Sequence, residues 1–368
     1  MAFFWLFFLP AVVYQLFSLF ACVRQFLRPL ERSNFFPAVS ILKPLRGADP
    51  DMYAAFVSQV QQDYPTFEIL FGVAERDDSA VALIERLQRE FLHVPIYLYV
   101  GSGPGANGKV GVLSNLALYA RHPVWVVSDG DIRVESDYLQ SIVAPLADPK
   151  TGVVTCLYRP QPYSAAAAWE GFGVAIDFMP STLVAQLVGV REFGLGSTLC
   201  FRAEDLEESG GFGEIADYLA DDYQLASRLV RLGKRAHLSR YVVETSLGDT
   251  SWSGIWHHQL RWARTIKVTK GKGFAGLPIT HAGVWAVLAA FLGLWPILII
   301  LLGVRIAAAI ASGWLVLRVD ASVFWALWAP LWDFYAFTVW VFSYASDEVL
   351  WRDRRLRIKR YGRVEPVT

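Results

Sequence analysis

What the chain has little of narrows its function first. Charged residues make up only 18% of the 368 positions, where a soluble domain usually carries about 25%. Its 34 Lys plus Arg and 34 Asp plus Glu cancel, so no bulk basic field argues for a nucleic-acid partner. Cysteine is scarce: Cys22, Cys156 and Cys200 show no metal-like spacing, and a disulfide framework is not expected, which suits a reducing compartment. There is no internal repeat and no low-complexity linker. The glycine-rich stretch Gly101-Ser-Gly-Pro-Gly-Ala-Asn-Gly108 lacks both the dinucleotide-binding spacing and a Walker lysine pattern, and reads as a flexible loop leading to Lys109. Apolar residues are abundant instead, at 54% hydrophobic and 14% aromatic, as expected of a chain embedded in a membrane.

Charge is absent altogether from Ala2 to Val23, a run long enough for a bilayer that needs about 20 apolar residues. A cleaved signal peptide has a basic start and a shorter apolar core. Here no Lys or Arg precedes the run, and Arg24, Arg28 and Arg32 follow it directly. Residues 1–27 are therefore expected to be a transmembrane signal anchor, with the amino terminus outside and the next domain in the cytoplasm. Ala282 to Gly303 is a second uncharged stretch. Ser322 to Ala345 is a third, broken only by Asp333 and rich in tryptophan (Trp325, Trp328, Trp332, Trp340), and the link between them holds Arg305 and Arg318.

Basic residues crowd both sides of this region. Arg261, Arg264, Lys267, Lys270 and Lys272 precede it; Arg352, Arg354, Arg355, Arg357, Lys359, Arg360 and Arg363 follow it. Both flanks belong inside, so an even number of spans separates them. That predicts about two spans over 282–346, a basic cytoplasmic tail over 347–368, and three spans in all. Ile306 to Leu317 is too short to span alone and is expected to lie in the interface or to lengthen a neighbour. Asp333 at mid-membrane depth is either a functional group or a carboxyl protonated or partnered between helices.

Residues 33–276 read differently. Short apolar runs at Val39–Leu42, Ile69–Val73, Ile96–Val100 and Val124–Val127 predict buried strands. Helical segments lie between them at Pro50–Gln62, Ser79–Phe91 and Val110–Arg121. That alternation implies βαβ units and an α/β fold with a mostly parallel sheet. Such sheets bind ligands beyond the carboxyl ends of their strands, where two acidic pairs fall.

Ser128-Asp129-Gly130-Asp131 closes the most apolar of these strands, so two carboxylates, Asp129 and Asp131, aim at one point. Hard cations such as Mg²⁺ or Mn²⁺ take oxygen ligands and share them with substrate phosphates; the bland reading is a turn with a capping aspartate. Asp77 and Asp78 can accept hydrogen bonds from a nucleobase or ribose, Asp78 equally well as a helix cap near Ser79, and Glu75 is a lesser candidate. Lys109 can meet phosphate as a point charge. Leu219-Ala-Asp-Asp-Tyr223 opens a helix over Gln224–Leu232. Asp222 there suits a general base, and Asp221 a charge complementing the helix dipole. His258-Gln-Leu-Arg-Trp262 offers Arg261 to a diphosphate and Trp262 as a stacking surface, or, read alone, an interfacial anchor. Ala165 to Val190, with Trp169, Phe172, Phe178 and Met179, is apolar enough for an interfacial acceptor entrance or a core helix.

Taken in order, these strings resemble the inverting glycosyltransferases with a nucleotide-sugar-binding GT-A fold, and more narrowly the ceramide glucosyltransferases. The resemblance rests on Leu42-Lys-Pro-Leu-Arg-Gly-Ala-Asp-Pro50, Val73-Ala-Glu-Arg-Asp-Asp78, Ser128-Asp-Gly-Asp-Ile-Arg-Val134, Gly196-Ser-Thr-Leu-Cys-Phe-Arg202, Leu219-Ala-Asp-Asp-Tyr223 and Arg261-Trp262. They cover roughly residues 38 to 265, and a bacterial group that glycosylates the hopanoid bacteriohopanetetrol is similar in most of them. The resemblance implies uridine contacts for Asp77 and Asp78, metal and diphosphate contacts for Asp129 and Asp131, and the base role for Asp222. It also implies a UDP-sugar donor, a divalent metal and a membrane-lipid acceptor. The (Gln/Arg)-x-x-Arg-Trp pattern of that family is met with His258 in the first place, a departure that leaves the role of that residue open. A processive polysaccharide synthase would share the carboxylates, and a membrane-anchored nucleotide- or lipid-binding protein is the non-enzymatic alternative.

Overall fold

The computed structural model describes residues 2–49, 51–351 and 354–367; Pro50 and Arg352, named above, lie outside them. The chain forms two compact units. One takes Pro29–Gln161 and Arg191–Gly248; the other takes the segments up to Arg28, Pro162–Val190 and from Asp249 on. Residues 162–190 and 249–276, read above as part of one cytoplasmic domain, thus fold with the apolar helices.

The first unit is built on an eight-stranded sheet. Its strands are β1 (Val39–Pro44), β2 (Phe67–Val73), β3 (Ile96–Val100), β4 (Val124–Val127), β5 (Ile132–Arg133), β6 (Thr151–Gln161), β7 (Leu199–Arg202) and β8 (Arg235–Ser246). They lie in the order β3-β2-β1-β4-β7-β6-β8-β5. β1 pairs parallel with β2 and β4, β2 with β3, and β6 with β8. β7 runs antiparallel to β4 and β6, and β5 antiparallel to β8.

The helices Met52–Val60, Ala80–Glu90 and Gly108–Ala117 alternate with the first strands, close to the expected segments. Strand side chains point alternately to opposite faces. Accordingly Ile41, Ile69 and Phe71 join one core with Phe56 and Ile84, while Leu42, Leu70 and Val127 join another with Val110 and Leu113. Burial on both faces is why these strands read as continuous apolar runs. Parallel pairing of β1 with β4 places the end of β4, and the aspartates after it, beside the end of β1.

The second unit gathers the apolar helices. Among the described residues, Leu6–Leu27 and Trp295–Val316, each of 22 residues, are long and apolar enough to cross a membrane. The uncharged stretch expected as one span over 282–303 is broken: helix Ala282–Phe291 ends, Gly293 takes φ +71°, and helix Trp295–Ile310 begins with Pro296 in its first turn. A left-handed φ suits glycine, and proline opens rather than continues a helix. Arg305 therefore lies inside a helix, not in a link, and Ile306–Leu317 lengthens that helix. The third stretch resolves into shorter pieces, of which Ala329–Phe342 is the longest.

The tail is not merely a charge run. Glu348–Trp351 (β9), Arg354–Ile358 (β10) and Val364–Pro366 (β11) form an antiparallel sheet, with Leu356 and Ile358 buried and Arg355 and Arg357 exposed.

Most of Ala165–Val190 is one helical run, Ala165–Gly173, a wider π-type turn at Val174–Phe178, then Met179–Leu187. Such a turn frees backbone carbonyls. Here Arg305 Nη1 donates to Ile176 O (2.9 Å) and Ser312 Oγ to Ala175 O (2.6 Å).

Candidate active site

The site grows from the ends of β1 and β4. Lys43, the last residue but one of β1, is fully buried, and its ammonium donates to the Asp129 carbonyl (2.8 Å) and to Ser128 Oγ (3.3 Å). It thereby fixes the turn that carries Asp129-Gly-Asp131. Burial pulls Lys43 down to about 8, against the opposing pull of Asp131 and Asp129. Asp131 accepts from Thr245 Oγ1 on β8 (2.7 Å). Burial, and then the Asp129 carboxylate beside it, push Asp131 up to about 6. A buried carboxylate raised by a neighbouring negative charge is a place where added positive charge is stabilising.

A second set of groups meets the first. Asn107 caps the helix Gly108–Ala117 through Val110 N (3.2 Å), and its amide reaches Tyr218 O (2.8 Å) and Asp221 Oδ1 (3.4 Å). This fastens the helix that bears Lys109 to the segment entering the helix Asp221–Arg231. Lys109 Nζ stands 2.6 Å from Asp129 Oδ1 and 3.4 Å from Asp221 Oδ2. Burial alone would lower the lysine, but Asp129 and Asp221 outweigh it and hold it well above its ordinary value. Asp222, next on that helix, accepts from Gly196 N (3.0 Å) and from its neighbour Tyr223 N (2.7 Å). Burial, and then the Asp221 carboxylate, push Asp222 up to about 6.

Gly196 is where these groups converge. A Cβ built on it would lie 3.4 Å from Asp129 Oδ2, 3.4 Å from Asp222 Oδ2 and 3.5 Å from Lys109 Nζ. Because the residue is glycine, that hollow stays free of side chain, walled by two carboxylates and an ammonium. Asp129, Asp222, Lys109 and, through Asp129, Asp131 are thus brought together.

Among the described residues no group of three or more His, Cys, Asp or Glu is placed to hold a metal alone. The donor set fits a hard divalent cation that completes its shell with phosphates and water, as Mg²⁺ does. Asp129 and Asp131 would hold such an ion.

Asp78 has a structural task. Its carboxylate accepts from Gly47 N (3.0 and 2.9 Å) and Ala80 N (2.9 Å), tying the loop after β1 to the start of a helix. Asp77 is exposed beside it.

Sequence reasoning gave no role to Lys43, Thr245 or Asn107. A lysine inside the apolar run Val-Ser-Ile-Leu-Lys-Pro was the available signal for the first. The other two are defined by contacts with residues more than a hundred positions away in sequence.

Arg261 and Trp262 lie in the other unit, on the helix Trp252–Thr269. The Trp262 ring packs against Phe178 (centroids 5.0 Å) and edge-on to His258 (4.8 Å). Glu170, on the helix Ala165–Gly173, accepts from His258 Nδ1 (2.6 Å) and Gln259 Nε2 (2.8 Å) on its Oε1.

A model of glycosyl transferase family 21 matches residues 3–364. Ceramide glucosyltransferase 3 of Caenorhabditis elegans is 27% identical over 245 residues, 64% of this chain and 52% of that protein. Ceramide glucosyltransferase 1 of the same organism is 24% identical over 253 residues, 68% of this chain and 54% of that protein. The chain spans about half the length of these curated relatives. Among solved structures, a mannosyltransferase from Pyrobaculum calidifontis in complex with GDP-Man and Mn²⁺ matches with a TM-score of 0.58. Its identity is 19%, over 91% of this chain and 94% of that one. That likeness carries the fold, and the GT-A arrangement expected from the sequence is present.

Proposed function

From the premise that the chain belongs to glycosyl transferase family 21, we propose that it is a membrane-bound inverting glycosyltransferase. It moves a hexose, glucose or N-acetylglucosamine, from a UDP-sugar to a hydroxyl of a membrane lipid, ceramide or a hopanoid such as bacteriohopanetetrol. The observation that carries the reading is the hollow over Gly196, where Asp129, Asp222 and Lys109 face one space. The names of the curated relatives support ceramide and glucose.

Each group has a role in a single displacement. Lys109, a positive charge between two carboxylates, meets the donor diphosphate and draws Asp129 into line. Asp222 takes the proton of the attacking hydroxyl, and its raised proton affinity suits that task. Asp129 and Asp131 would hold a divalent metal, Mg²⁺ or Mn²⁺, whose charge would offset that of the departing diphosphate. Asp77, exposed, contacts the uridine end of the donor, and Asp78, whose carboxylate holds the loop after β1, shapes that end of the site and contacts uridine only with the acceptor capacity left over. Arg261 and Trp262 enter on their sequence pattern, as a diphosphate partner and an acceptor-side surface. Two long apolar helices support a multi-pass membrane protein, and the basic flanks support a cytoplasmic position for the sheet unit. Proximity supplies much of the rate, the lipid arriving laterally and the sugar nucleotide from water.

The test uses membranes from expressing cells, Mg²⁺ or Mn²⁺, and labelled UDP-glucose and UDP-N-acetylglucosamine in parallel, with ceramide and bacteriohopanetetrol as acceptors. One labelled lipid is expected, and its identity decides the acceptor. Unchanged donor in every arm returns the protein to a binding role, and products longer than one sugar make it a polysaccharide synthase.

A further inference from the structure

Glu170 is a carboxylate that the transfer reaction has not used, and only 4% of it is exposed. A charge so far out of water has to be hydrogen-bonded, and both of its bonds come from one helix. His258 Nδ1 lies 2.6 Å and Gln259 Nε2 2.8 Å from Glu170 Oε1. A carboxylate accepts and does not donate, so the imidazole proton sits on Nδ1, and Nε2 is left for other work. His258 and Trp262 stand one turn apart on the same helix face, with rings edge-on at 4.8 Å. Phe178 closes on the indole at 5.0 Å from the π-type turn.

We infer that Glu170 is a positioning residue for lipid glycosylation. It fixes the Nδ1–H tautomer and the ring angle of His258, and His258 in turn fixes the Trp262 ring on the helix face that also carries Arg261. A bond between helices serving stability alone needs neither a fixed tautomer nor a ring in edge contact with Trp262. The inference rests on the proposed acceptor-side role of Trp262.

The test compares the full-length wild type with Glu170→Leu, Glu170→Gln and His258→Leu, reading kcat, donor and acceptor KM, and the ¹⁵N signals of the imidazoles, with His258 assigned by its own variant. Glu170→Leu is expected to lower kcat by on the order of a hundredfold, to raise the acceptor KM, to leave the donor KM in place, and to release His258 into mixed tautomers. Glu170→Gln keeps an acceptor oxygen at the same reach and should restore most of kcat and the Nδ1–H tautomer. His258→Leu should lose kcat as Glu170→Leu does, and it serves where the latter does not fold. Wild-type kinetics in either leucine variant, or an unchanged His258 spectrum in Glu170→Leu, overturns the inference. So does Glu170→Gln as impaired as Glu170→Leu. If the wild type transfers no sugar, the proposed function fails, and the imidazole spectra still decide whether Glu170 sets His258.

Discussion

The guanidinium of Arg305 and the carboxylate of Asp333 form a buried bidentate pair, Nε 3.1 Å from both oxygens and Nη2 2.8 Å from Oδ1. Gly283 N donates to the same carboxylate at 2.7 Å, and Arg305 Nη1 to the Ile176 carbonyl at 2.9 Å. Of the two readings of Asp333, the structure therefore shows the partnered carboxyl. The pair ties two apolar helices to the π-type turn that bears Phe178.

Breaking that pair should destabilise the fold more than replacing it. Asp333→Leu leaves a guanidinium uncompensated at 3% exposure, at a cost of about 3–5 kcal/mol. Arg305→Met with Asp333→Leu removes both charges and should recover much of the loss. Thermal unfolding in detergent reads the difference. Equal losses in the single and double variants would sink the idea that pairing is what matters.

Gly196→Ala is expected to fold normally, because its new methyl meets the surrounding groups at 3.4 Å and beyond. The methyl would occupy the hollow where the donor is proposed to lie. A misplaced methyl is worth roughly tenfold or more in a fitted pocket, so the donor KM should rise by about that factor with the melting temperature unchanged. An unaltered donor KM would move the donor elsewhere.

Metal dependence is expected if Asp129 and Asp131, after β4, hold the proposed ion. Chelation should abolish transfer, and Mg²⁺ or Mn²⁺ should restore it. Asp129→Asn and Asp131→Asn should raise the metal concentration needed for half-maximal activity by at least about 10- to 100-fold, the loss typical of residues that only orient metal ligands. Full activity in excess chelator would remove the metal from the mechanism.

The strands leading to the site were legible because burial on both faces makes apolar runs, and Asp129 and Asp131 were legible because they end one. Gly196 appeared within a motif, but its place at the meeting of Asp129, Asp222 and Lys109 depends on the pairing of β4 with β7 and on the helix at Asp221. A chain read in order does not display that. Lys43 was passed over because a lysine in a strand normally faces water, whereas this one is stabilised by oxygens beyond another strand. The break at Gly293 lay inside a run uniform in hydropathy, and its signal was the Gly293-Leu-Trp-Pro296 string rather than any change in polarity. In the tail, alternation of arginine with Leu356 and Ile358 is a strand signal that net charge obscured.

As the proposed base, Asp222 should give the transfer a pH signature. Its carboxyl titrates near 6, raised first by burial and then by Asp221, with Lys109 opposing. A general base works deprotonated, so kcat should climb as pH rises through about 6 and level off above it. Asp222→Asn should cut kcat by roughly 10²–10⁴-fold while UDP still binds, and should abolish the acid limb of whatever rate remains. Asp221→Asn removes the repelling charge and leaves Lys109 to favour the ionised form, so the acid limb should move to lower pH. A limb that stays near 6 in Asp221→Asn, or UDP binding lost with Asp222→Asn, would assign the proton transfer to another group.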